Sequence, residues 1–196
     1  MSFAMLFSID RRDNLNATSL RSMHLLRARV FKHKKAWDVN LIADMEIDGY
    51  DAFNPYYMII TRSAEQTYVC GCWRILPTTG PNMLAHTFPE LLHGSLPPCA
   101  DDIWELSRFA MEASEKSSFN FSNASAKAIS TVVRFAMDQH IRQFVTVTTV
   151  GVEKMLRRLG LDLLRFGPPI KIGVEDAVAL QINLNETTWG ALKQFL

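Results

Sequence analysis

The stretch that decides the fold is Asp102-Ile-Trp-Glu-Leu-Ser-Arg-Phe-Ala-Met111. Neighbouring side chains of a β-strand point to opposite faces, and this stretch carries apolar side chains at both odd and even positions. A strand that is apolar on both faces is typical of the centre of a sheet. The same stretch contains Glu105 and Arg108, and a buried charge is costly unless it is paired. The sequence therefore predicts a central strand whose charges need partners.

Helices and strands are predicted on both sides of this strand. In chain order they are a helix at 20–31, strands at 56–61 and 68–76, the central strand, a helix from Ser122 to about residue 140, a strand at 144–150, a helix at 152–159 that Gly160 ends, a strand at 177–184 and a last helix from about residue 186. The acid-rich segment 32–55 lacks periodicity. We therefore expect one α/β (α+β) domain over residues 1–196, a three-layer sandwich with a mixed sheet and helices on both faces.

Composition and charge exclude several classes of protein. The 196 residues are 48% hydrophobic, enough for one sizeable core, and the formal net charge of +1 does not indicate a nucleic acid as partner. The three cysteines lack the spacing of a disulfide framework or zinc site, and the five histidines show no paired spacing, so no metal is expected. No leader and no apolar run of membrane-spanning length is found, so we expect a cytoplasmic protein without a membrane span.

Charged residues inside apolar segments admit two interpretations. One is a buried ion-pair network without a ligand, and the other is a ligand site; residue spacing alone favours neither. The residues concerned are Arg27, Asp48, Asp51, Arg74, Glu105 and Arg108.

Five dispersed motifs resemble the signature of one enzyme family. They are Arg27-x-x-x-Phe31, Trp37, Asp48-Gly-Tyr-Asp51, Cys72-Trp-Arg74 and Trp104-Glu-Leu-Ser-Arg108-Phe109. In order and spacing they resemble the LuxI-type acyl-homoserine-lactone synthases, the autoinducer synthases of quorum sensing. Three longer stretches, at 45–52, 87–94 and 145–154, resemble the LasI-like branch, which uses long 3-oxoacyl chains. The C-terminus is shorter than in that branch, which affects the last helix rather than the site.

The resemblance implies a fold, a reaction and a donor. The fold is that of the GNAT N-acyltransferases, with a splayed central sheet. The reaction transfers an acyl group from acyl carrier protein to the amine of S-adenosylmethionine, which is a substrate and not a cofactor, and then closes the lactone with release of methylthioadenosine. The Arg/Gln-x-x-Gly-x-Gly/Ala loop that holds the pyrophosphate of coenzyme A is not seen before Ser122, which favours the carrier protein as donor.

Two other functions remain open at this point. One is a coenzyme A-dependent N-acyltransferase that acts on another amine. The other is a non-catalytic module that binds S-adenosylmethionine or an acyl chain, which the presence of both Glu105 and Arg108 disfavours.

The resemblance and the predicted elements assign roles to individual residues. Glu105 is expected to accept the proton of the attacking amine, directly or through water, while backbone N–H groups near Ser107 and Arg108 stabilise the oxyanion. The expected S-adenosylmethionine site comprises Arg27, Phe31, Trp37, Asp48, Asp51, Arg74 and Phe109. The expected acyl-chain site comprises Ser107, Thr146, Thr148, Met83, Leu106 and Leu184. The expected docking surface for the carrier protein comprises Lys154, Arg157, Arg158, Arg165 and Lys171.

Most of these roles have a structural alternative. Phe31 and Phe109 also fit plain core packing. The threonines also fit the β propensity of their strand, and basic residues on a helix more often form a solvated face. Trp37 lies on a segment without periodicity, where the ligand interpretation is stronger.

Overall fold

The computed structural model describes residues 5–34, 37–62, 68–112 and 118–196. The chain divides into two compact units. Unit 1 comprises Met1–Ile75 and Arg108–Phe121, and unit 2 comprises Leu76–Ser107 and Ser122–Leu196. The central strand predicted from the sequence contributes to both units, because the boundary falls between Ser107 and Arg108. A single domain over 1–196 stays a prediction.

The predicted order of elements is confirmed, with additions. The elements are β1 (Leu6–Arg11), α1 (Ala17–Ala28), β2 (Leu41–Ile42), β3 (Met45–Glu46), β4 (Tyr56–Thr61), β5 (Val69–Pro77), α2 (Met83–His86), β6 (Ile103–Met111), α3 (Ser118–Asp138), β7 (Gln143–Thr149), α4 (Val150–Arg158), β8 (Leu163–Arg165), β9 (Ile170–Ile172), β10 (Glu175–Asn183) and α5 (Glu186–Leu192). The strands that were not predicted are β1, β2, β3, β8 and β9. They are short, with two to six residues, so each offers too few positions to establish an alternating pattern.

Several helix boundaries differ from the prediction, and the differences at α3 and at the end of the first helix are the most informative. α3 begins at Ser118 rather than at Ser122, because serine and asparagine disfavour helix interiors and hide the first turn in the sequence. The first helix is α-helical only to Ala28 and continues as a π-helical turn over Arg29–Lys34. Such a turn adds one residue to the hydrogen-bonded ring and is frequent at functional sites. It carries Phe31, one of the predicted site residues.

Unit 1 consists of antiparallel strands covered by α1. β4 pairs with β1 on one side and with β5 on the other. α1 begins at Asn16, whose side chain accepts a hydrogen bond from the N–H of Ser19. The core of the unit contains Met23, Leu26, Val30, Phe31, Tyr57, Ile59, Val69, Cys72 and Ala110. The last turn of α1 and the π-helical turn are thereby fixed against the strands.

Unit 2 contains a mixed sheet. Residues 103–106 of β6 pair in parallel with residues 143–146 of β7, and α3 provides the crossover that parallel neighbours require. β10 runs antiparallel to β7 and also pairs with β8 and β9. Gly160, just beyond α4, has a positive φ of 88°, as its predicted role at the end of that helix requires. The mixed sheet and its helices confirm the predicted α/β class. None of the helices in the described part of the chain is long and apolar enough to cross a membrane.

Candidate active site

Two acidic residues of unit 1 are positioned by a capped 3-10 helix, Gly49–Phe53. Asp48 caps this helix, and its Oδ1 accepts a hydrogen bond from the Tyr50 N–H at 3.0 Å. Asp51 accepts one from the Asp48 N–H at 2.9 Å, which completes a capping box. The segment predicted to lack regular structure therefore fixes both carboxylates through local backbone contacts.

Arg27 lies fully buried in the last turn of α1. Its Nη1 and Nη2 donate to the two carboxylate oxygens of Asp51 at 2.8 and 3.0 Å. Its Nε donates to Glu46 of β3. A two-pronged contact of this kind uses the planar geometry of guanidinium. These acids explain how the apolar face of α1 accommodates a charge.

Arg74 of β5 reaches the same acids and is also fully buried. Its Nη1 donates to Oδ1 of Asp51 at 2.8 Å and to Asp48. Its guanidinium carbon lies 5.4 Å from the centre of the Tyr50 ring, within the range of a cation–π contact. Asp51 is therefore held by two buried arginines.

Arg108 has a left-handed backbone conformation, with φ of 58°. Residues other than glycine rarely adopt this conformation, and the strain persists where the surroundings over-determine it, often at functional sites. Its Nε donates to Oε1 of Glu46 at 3.1 Å, and its guanidinium lies 5.5 Å from the centre of the Phe31 ring. The left-handed residue interrupts the pleat of β6. The extended geometry predicted for 102–111 is therefore interrupted at Arg108.

Six side chains of unit 1 form what we call the charged cluster. Three are cationic and three are anionic, so the formal charges cancel. The members are Arg27, Arg74, Arg108, Glu46, Asp48 and Asp51.

The charges of the cluster shift several pKa values. Burial would raise the pKa of Asp51, but Arg27 and Arg74 outweigh it and hold that pKa well below its usual value. Burial would lower the pKa of Arg27, but Asp51 and Glu46 raise it well above the usual value. Burial lowers the pKa of Arg108 in spite of the neighbouring acids. Because Asp51 stays ionised, it is suited to orient cations rather than to take up a proton.

One carboxylate oxygen of the cluster receives no hydrogen bond from the part of the chain that the structure describes. Oδ2 of Asp48 is buried and lies 3.0 Å from Nη2 of Arg108 and 3.7 Å from Nη2 of Arg27. Within the described residues, however, no N–H or O–H is directed at it in hydrogen-bonding geometry. Buried acceptors are nearly always satisfied, so this oxygen, which has ion-pair contacts but no hydrogen bond from the described residues, is a notable exception.

Aromatic rings border the cluster. Phe31 is buried in the core of unit 1, and the ring of half-buried Trp37 stacks on it with centroids 5.3 Å apart and an interplanar angle of 8°. The Trp37 N–H donates to the Phe31 carbonyl at 2.9 Å, which fixes the irregular segment against the π-helical turn. Phe109 packs on Trp73 with ring centres 4.7 Å apart. Phe31 therefore packs in the core and its ring also contacts the Arg108 guanidinium, while its predicted role in binding S-adenosylmethionine stays a prediction.

Three buried residues near these acids were missed in the sequence. Glu46 bridges Arg27 and Arg108, and Tyr57 donates its hydroxyl hydrogen to Asp51. His24 places Nδ1 2.9 Å from the Glu46 carbonyl. A signal existed for Glu46, which lies in a stretch quoted above for its resemblance. Tyr57 lies in a predicted strand, and its spacing does not indicate a role in the site.

Glu105 belongs to unit 2 and is held by the backbone. It is buried, its Oε1 accepts from the Met83 N–H at 3.0 Å, and its Oε2 accepts from the Leu84 N–H at 2.7 Å. Asn82 caps the same short helix α2 by accepting from the Ala85 N–H at 3.0 Å. Met83 therefore contacts the predicted base through its N–H, in addition to the acyl-chain role predicted for its side chain.

The other residues predicted to bind the acyl chain also lie in unit 2. Ser107, Leu106 and Leu184 are buried. The hydroxyl of Thr146 donates to the Leu106 carbonyl at 2.8 Å. Thr148 is half-buried, and its hydroxyl makes no hydrogen bond to another described residue. The two threonines therefore differ: Thr146 has a backbone partner, and Thr148 has none among the described residues.

The five basic residues predicted to dock a carrier protein differ in their contacts. Arg157 and Arg165 both pair with Glu153, and Lys171 lies 3.4 Å from Asp176 on the surface. Lys154 and Arg158 are exposed on α4, and neither pairs with a carboxylate of the described residues. The described residues also hold no group of His, Cys, Asp and Glu that could bind a metal ion.

Residues 11–192 match the family model described as autoinducer synthase. This chain belongs to the autoinducer synthase family. The acyl-homoserine-lactone synthase of Pseudomonas aeruginosa is 54% identical over 188 residues, which cover 96% of this chain and 94% of that protein. The crystal structure of the AHL synthase LasI superposes with a TM-score of 0.91 at 53% identity, covering 97% of this chain and 95% of LasI.

A more distant structure shares the fold alone. BjaI, described as a CoA-dependent acyl-homoserine lactone synthase in complex with SAM and isopentyl-CoA, has a TM-score of 0.86 at 21% identity, over 97% of this chain and 89% of that one. The predicted family and the predicted enzyme class, an acyltransferase that makes acyl-homoserine lactone for quorum sensing, are confirmed for this autoinducer synthase.

Proposed function

We propose that this chain transfers the acyl group of an acyl-carrier-protein thioester to the α-amine of S-adenosylmethionine and then closes the lactone ring. The amine nitrogen attacks the thioester carbon, and the carrier thiol leaves. The methionyl carboxylate oxygen then displaces the sulfonium at its γ-carbon, which releases methylthioadenosine. The observation that carries the proposal is the charged cluster, with its leftover acceptor on Asp48 and its strained Arg108.

The chemistry of S-adenosylmethionine matches the groups of unit 1. Its α-ammonium is a donor of the kind that Asp48 Oδ2 lacks, and its carboxylate suits the guanidinium of Arg108. Its sulfonium and adenine suit aromatic rings such as the Phe31–Trp37 stack. Arg27 and Arg74 hold the acids in position from within the core rather than through exposed contacts.

Acyl transfer needs a deprotonated amine, and Glu105 is the proposed acceptor of its proton. An α-amine titrates near pH ~8, so a modest base suffices. The N–H groups of Met83 and Leu84 hold both oxygens of this carboxylate in place, and the carboxylate is proposed to take up the proton directly or through water. Backbone N–H groups near Ser107 and Arg108 are proposed to stabilise the oxyanion.

The proposed acyl group is a long 3-oxoacyl chain. Buried apolar residues of unit 2, among them Leu106, Met83 and Leu184, are available to line its path, and each buried methylene contributes about 0.8 kcal/mol. The hydroxyl of Thr148 is the proposed donor to the 3-oxo group. Its freedom from other hydrogen bonds among the described residues supports that assignment.

A donor comparison tests the proposal as a whole. The purified protein is incubated with S-adenosylmethionine and either 3-oxododecanoyl carrier protein or 3-oxododecanoyl coenzyme A, and products are identified by mass spectrometry. We expect the long-chain 3-oxoacyl-homoserine lactone and methylthioadenosine in equal amounts, with the carrier protein strongly preferred. Preference for coenzyme A would assign the donor used by BjaI, and acylation of a different amine would overturn the proposal.

A further inference from the structure

The carboxylate of Glu153 lies between two of the basic side chains that were predicted to dock a carrier protein. Its Oε1 accepts from Nε of Arg157 at 3.0 Å and from Nε of Arg165 at 2.8 Å. Its Oε2 accepts from Nη2 of Arg165 at 2.5 Å. The carboxylate is therefore shared by an arginine of α4 and an arginine of β8.

The position of Glu153 differs from that of an ordinary surface acid. Its side chain is only 2% exposed, whereas those of Arg157 and Arg165 are 50% and 34% exposed. It lies in the first turn of α4, where the helix dipole favours a negative charge, and four residues before Arg157, the spacing at which helical side chains meet. The hydrogen bond from Arg165 holds the pKa of Glu153 below its usual value. A buried acid thus holds two outward-facing cations.

Each guanidinium uses only some of its nitrogens to contact Glu153. Arg165 uses Nε and Nη2 on Glu153, while Arg157 uses Nε and Nη2 there and donates from Nη1 to the Leu163 carbonyl at 3.4 Å. A long cation that is already fixed loses less conformational entropy when an anion binds to it. Lys154 and Arg158, by contrast, lie on the same helix without such a contact among the described residues.

We propose that Glu153 is a positioning residue that fixes Arg157 and Arg165 as a preorganised guanidinium pair for an acidic acyl carrier protein. The inference rests on the proposed function, since it presumes the carrier protein as donor. It divides the predicted docking surface into two residues held by Glu153, Arg157 and Arg165, and three that Glu153 does not hold, Lys154, Arg158 and Lys171.

The negative charge of Glu153 and its positioning role predict opposite changes in carrier-protein binding when Glu153 is removed. If Glu153 merely reduced the positive charge of the surface, its removal would strengthen attraction of an acidic partner and steepen the salt dependence. If it positions the arginines, its removal weakens binding even though the surface becomes more positive.

The test measures steady-state kinetics with acyl carrier protein and with S-adenosylmethionine at several salt concentrations. Glu153→Gln is expected to raise the KM for the carrier protein roughly five-fold, with kcat and the KM for S-adenosylmethionine unchanged. Glu153→Asp keeps the charge but withdraws the carboxylate by one methylene, so we expect an intermediate KM. Asp176→Asn removes an exposed acid beside Lys171 and is the matched control, with KM expected to stay within roughly two-fold of the original.

A double-mutant cycle completes the design. Arg165→Gln and Glu153→Gln should be less than additive in their effect on the KM for the carrier protein, because each removes the same positioned group. An unchanged or lowered KM in Glu153→Gln overturns the positioning role, and if that variant does not fold, a wild-type KM in Glu153→Asp does the same. Charge reversal of Lys154 with Arg158 separates the two claims: if it raises the KM while the Glu153 variants do not, the docking surface stands and only the positioning role fails.

Discussion

Two buried acids of this chain are satisfied in different ways. Asp51 of unit 1 accepts mainly from side chains, two guanidinium groups and the Tyr57 hydroxyl, in addition to the Asp48 N–H. Glu105 of unit 2 accepts instead from two consecutive backbone N–H groups. Removing an acid from between full positive charges leaves uncompensated charge in the core, whereas removing one from backbone dipoles leaves unpaired neutral donors, which costs less. Loss of activity is therefore harder to separate from loss of folding in unit 1 than in unit 2.

The largest expected effect is that of Asp51→Asn. It leaves the buried cations Arg27 and Arg74 short of one negative charge, and breaking a buried pair in this way costs about 3–5 kcal/mol. We expect a loss of that size in the free energy of unfolding, measured by denaturant titration. Asp13→Asn removes an exposed acid beside Arg12 and serves as the control, with almost no change expected. A loss below about 1 kcal/mol in Asp51→Asn would mean that the cluster rearranges, and the comparison would fail.

The pH dependence of stability sharpens the same contrast. The pKa of Asp51 is lowered on folding from a value of 3.8 in the absence of its partners. Its contribution is therefore complete above that value and is lost as the pH falls below it towards the folded-state pKa. The free energy of unfolding should fall more steeply below pH ~4 in the unmodified protein than in Asp51→Asn. Parallel acid-unfolding curves for the two proteins would contradict the assignment.

Glu105→Gln is expected to act mainly on catalysis. Removal of a general base typically lowers kcat by about 100-fold or more. A glutamine has only one acceptor oxygen, so one of the N–H groups of Met83 and Leu84 would face an amide NH2, at a cost of about 1–3 kcal/mol in stability. Single-turnover acyl transfer and thermal unfolding should be measured together. Near-normal turnover in the folded variant would show that Glu105 is not the base.

Asn82→Ala is the control for that variant. It removes the cap of α2 without removing the carboxylate, at an expected cost of about 1 kcal/mol in stability. If kcat falls as far as in Glu105→Gln, the orientation of α2 rather than the proton acceptor limits the reaction.

The sequence predicts the elements of this fold better than it predicts how they end. Long periodic segments such as α3 and β10 were confirmed, because many positions contribute to their patterns. The π-helical turn at Arg29–Lys34 and the left-handed Arg108 were missed, since both depend on contacts between residues far apart in the chain. Such local departures from regular geometry are favoured by tertiary packing and not by local propensity.

The sequence predicts those site residues that are charged and lie in apolar segments. Arg27 and Arg74 were identified because an arginine in an apolar stripe demands a partner, and the structure supplies those partners. Glu46 and Glu153 were missed because periodicity marked neither as buried, although both lie in stretches that resemble the family, 45–52 and 145–154. The sequence also could not distinguish Thr146 from Thr148, because alternation places both on the same face and the hydrogen bond to the Leu106 carbonyl depends on the register with β6.

An intermediate effect is expected for Trp37→Leu, which leaves the charged cluster intact and removes its aromatic border. The KM for S-adenosylmethionine should rise roughly five-fold, because a stacking or cation–π contact is worth about 1 kcal/mol. Trp104→Leu in unit 2 removes another half-buried tryptophan, one that packs on Phe135, and should leave that KM unchanged. Equal effects of the two substitutions would show that Trp37 acts through general stability and not through the ligand.

The smallest expected effect is that of Thr148→Val on the choice of acyl group. This change removes a hydroxyl without changing side-chain shape, and the preference for a 3-oxo over an unsubstituted donor should fall by roughly two- to five-fold, the value of one hydrogen bond of about 0.5–1 kcal/mol. Thr146→Val is the matched control on the same face of β7. Its hydroxyl already donates to the Leu106 carbonyl at 2.8 Å, so its removal should lower stability and leave the donor preference intact. Competition between 3-oxododecanoyl and dodecanoyl carrier protein, read by mass spectrometry of the lactones, measures the ratio directly. If Thr146→Val changes the ratio and Thr148→Val does not, the Thr146 hydroxyl recognises the acyl chain. The hydrogen bond of Thr146 to the Leu106 carbonyl would then not exclude it from binding the substrate.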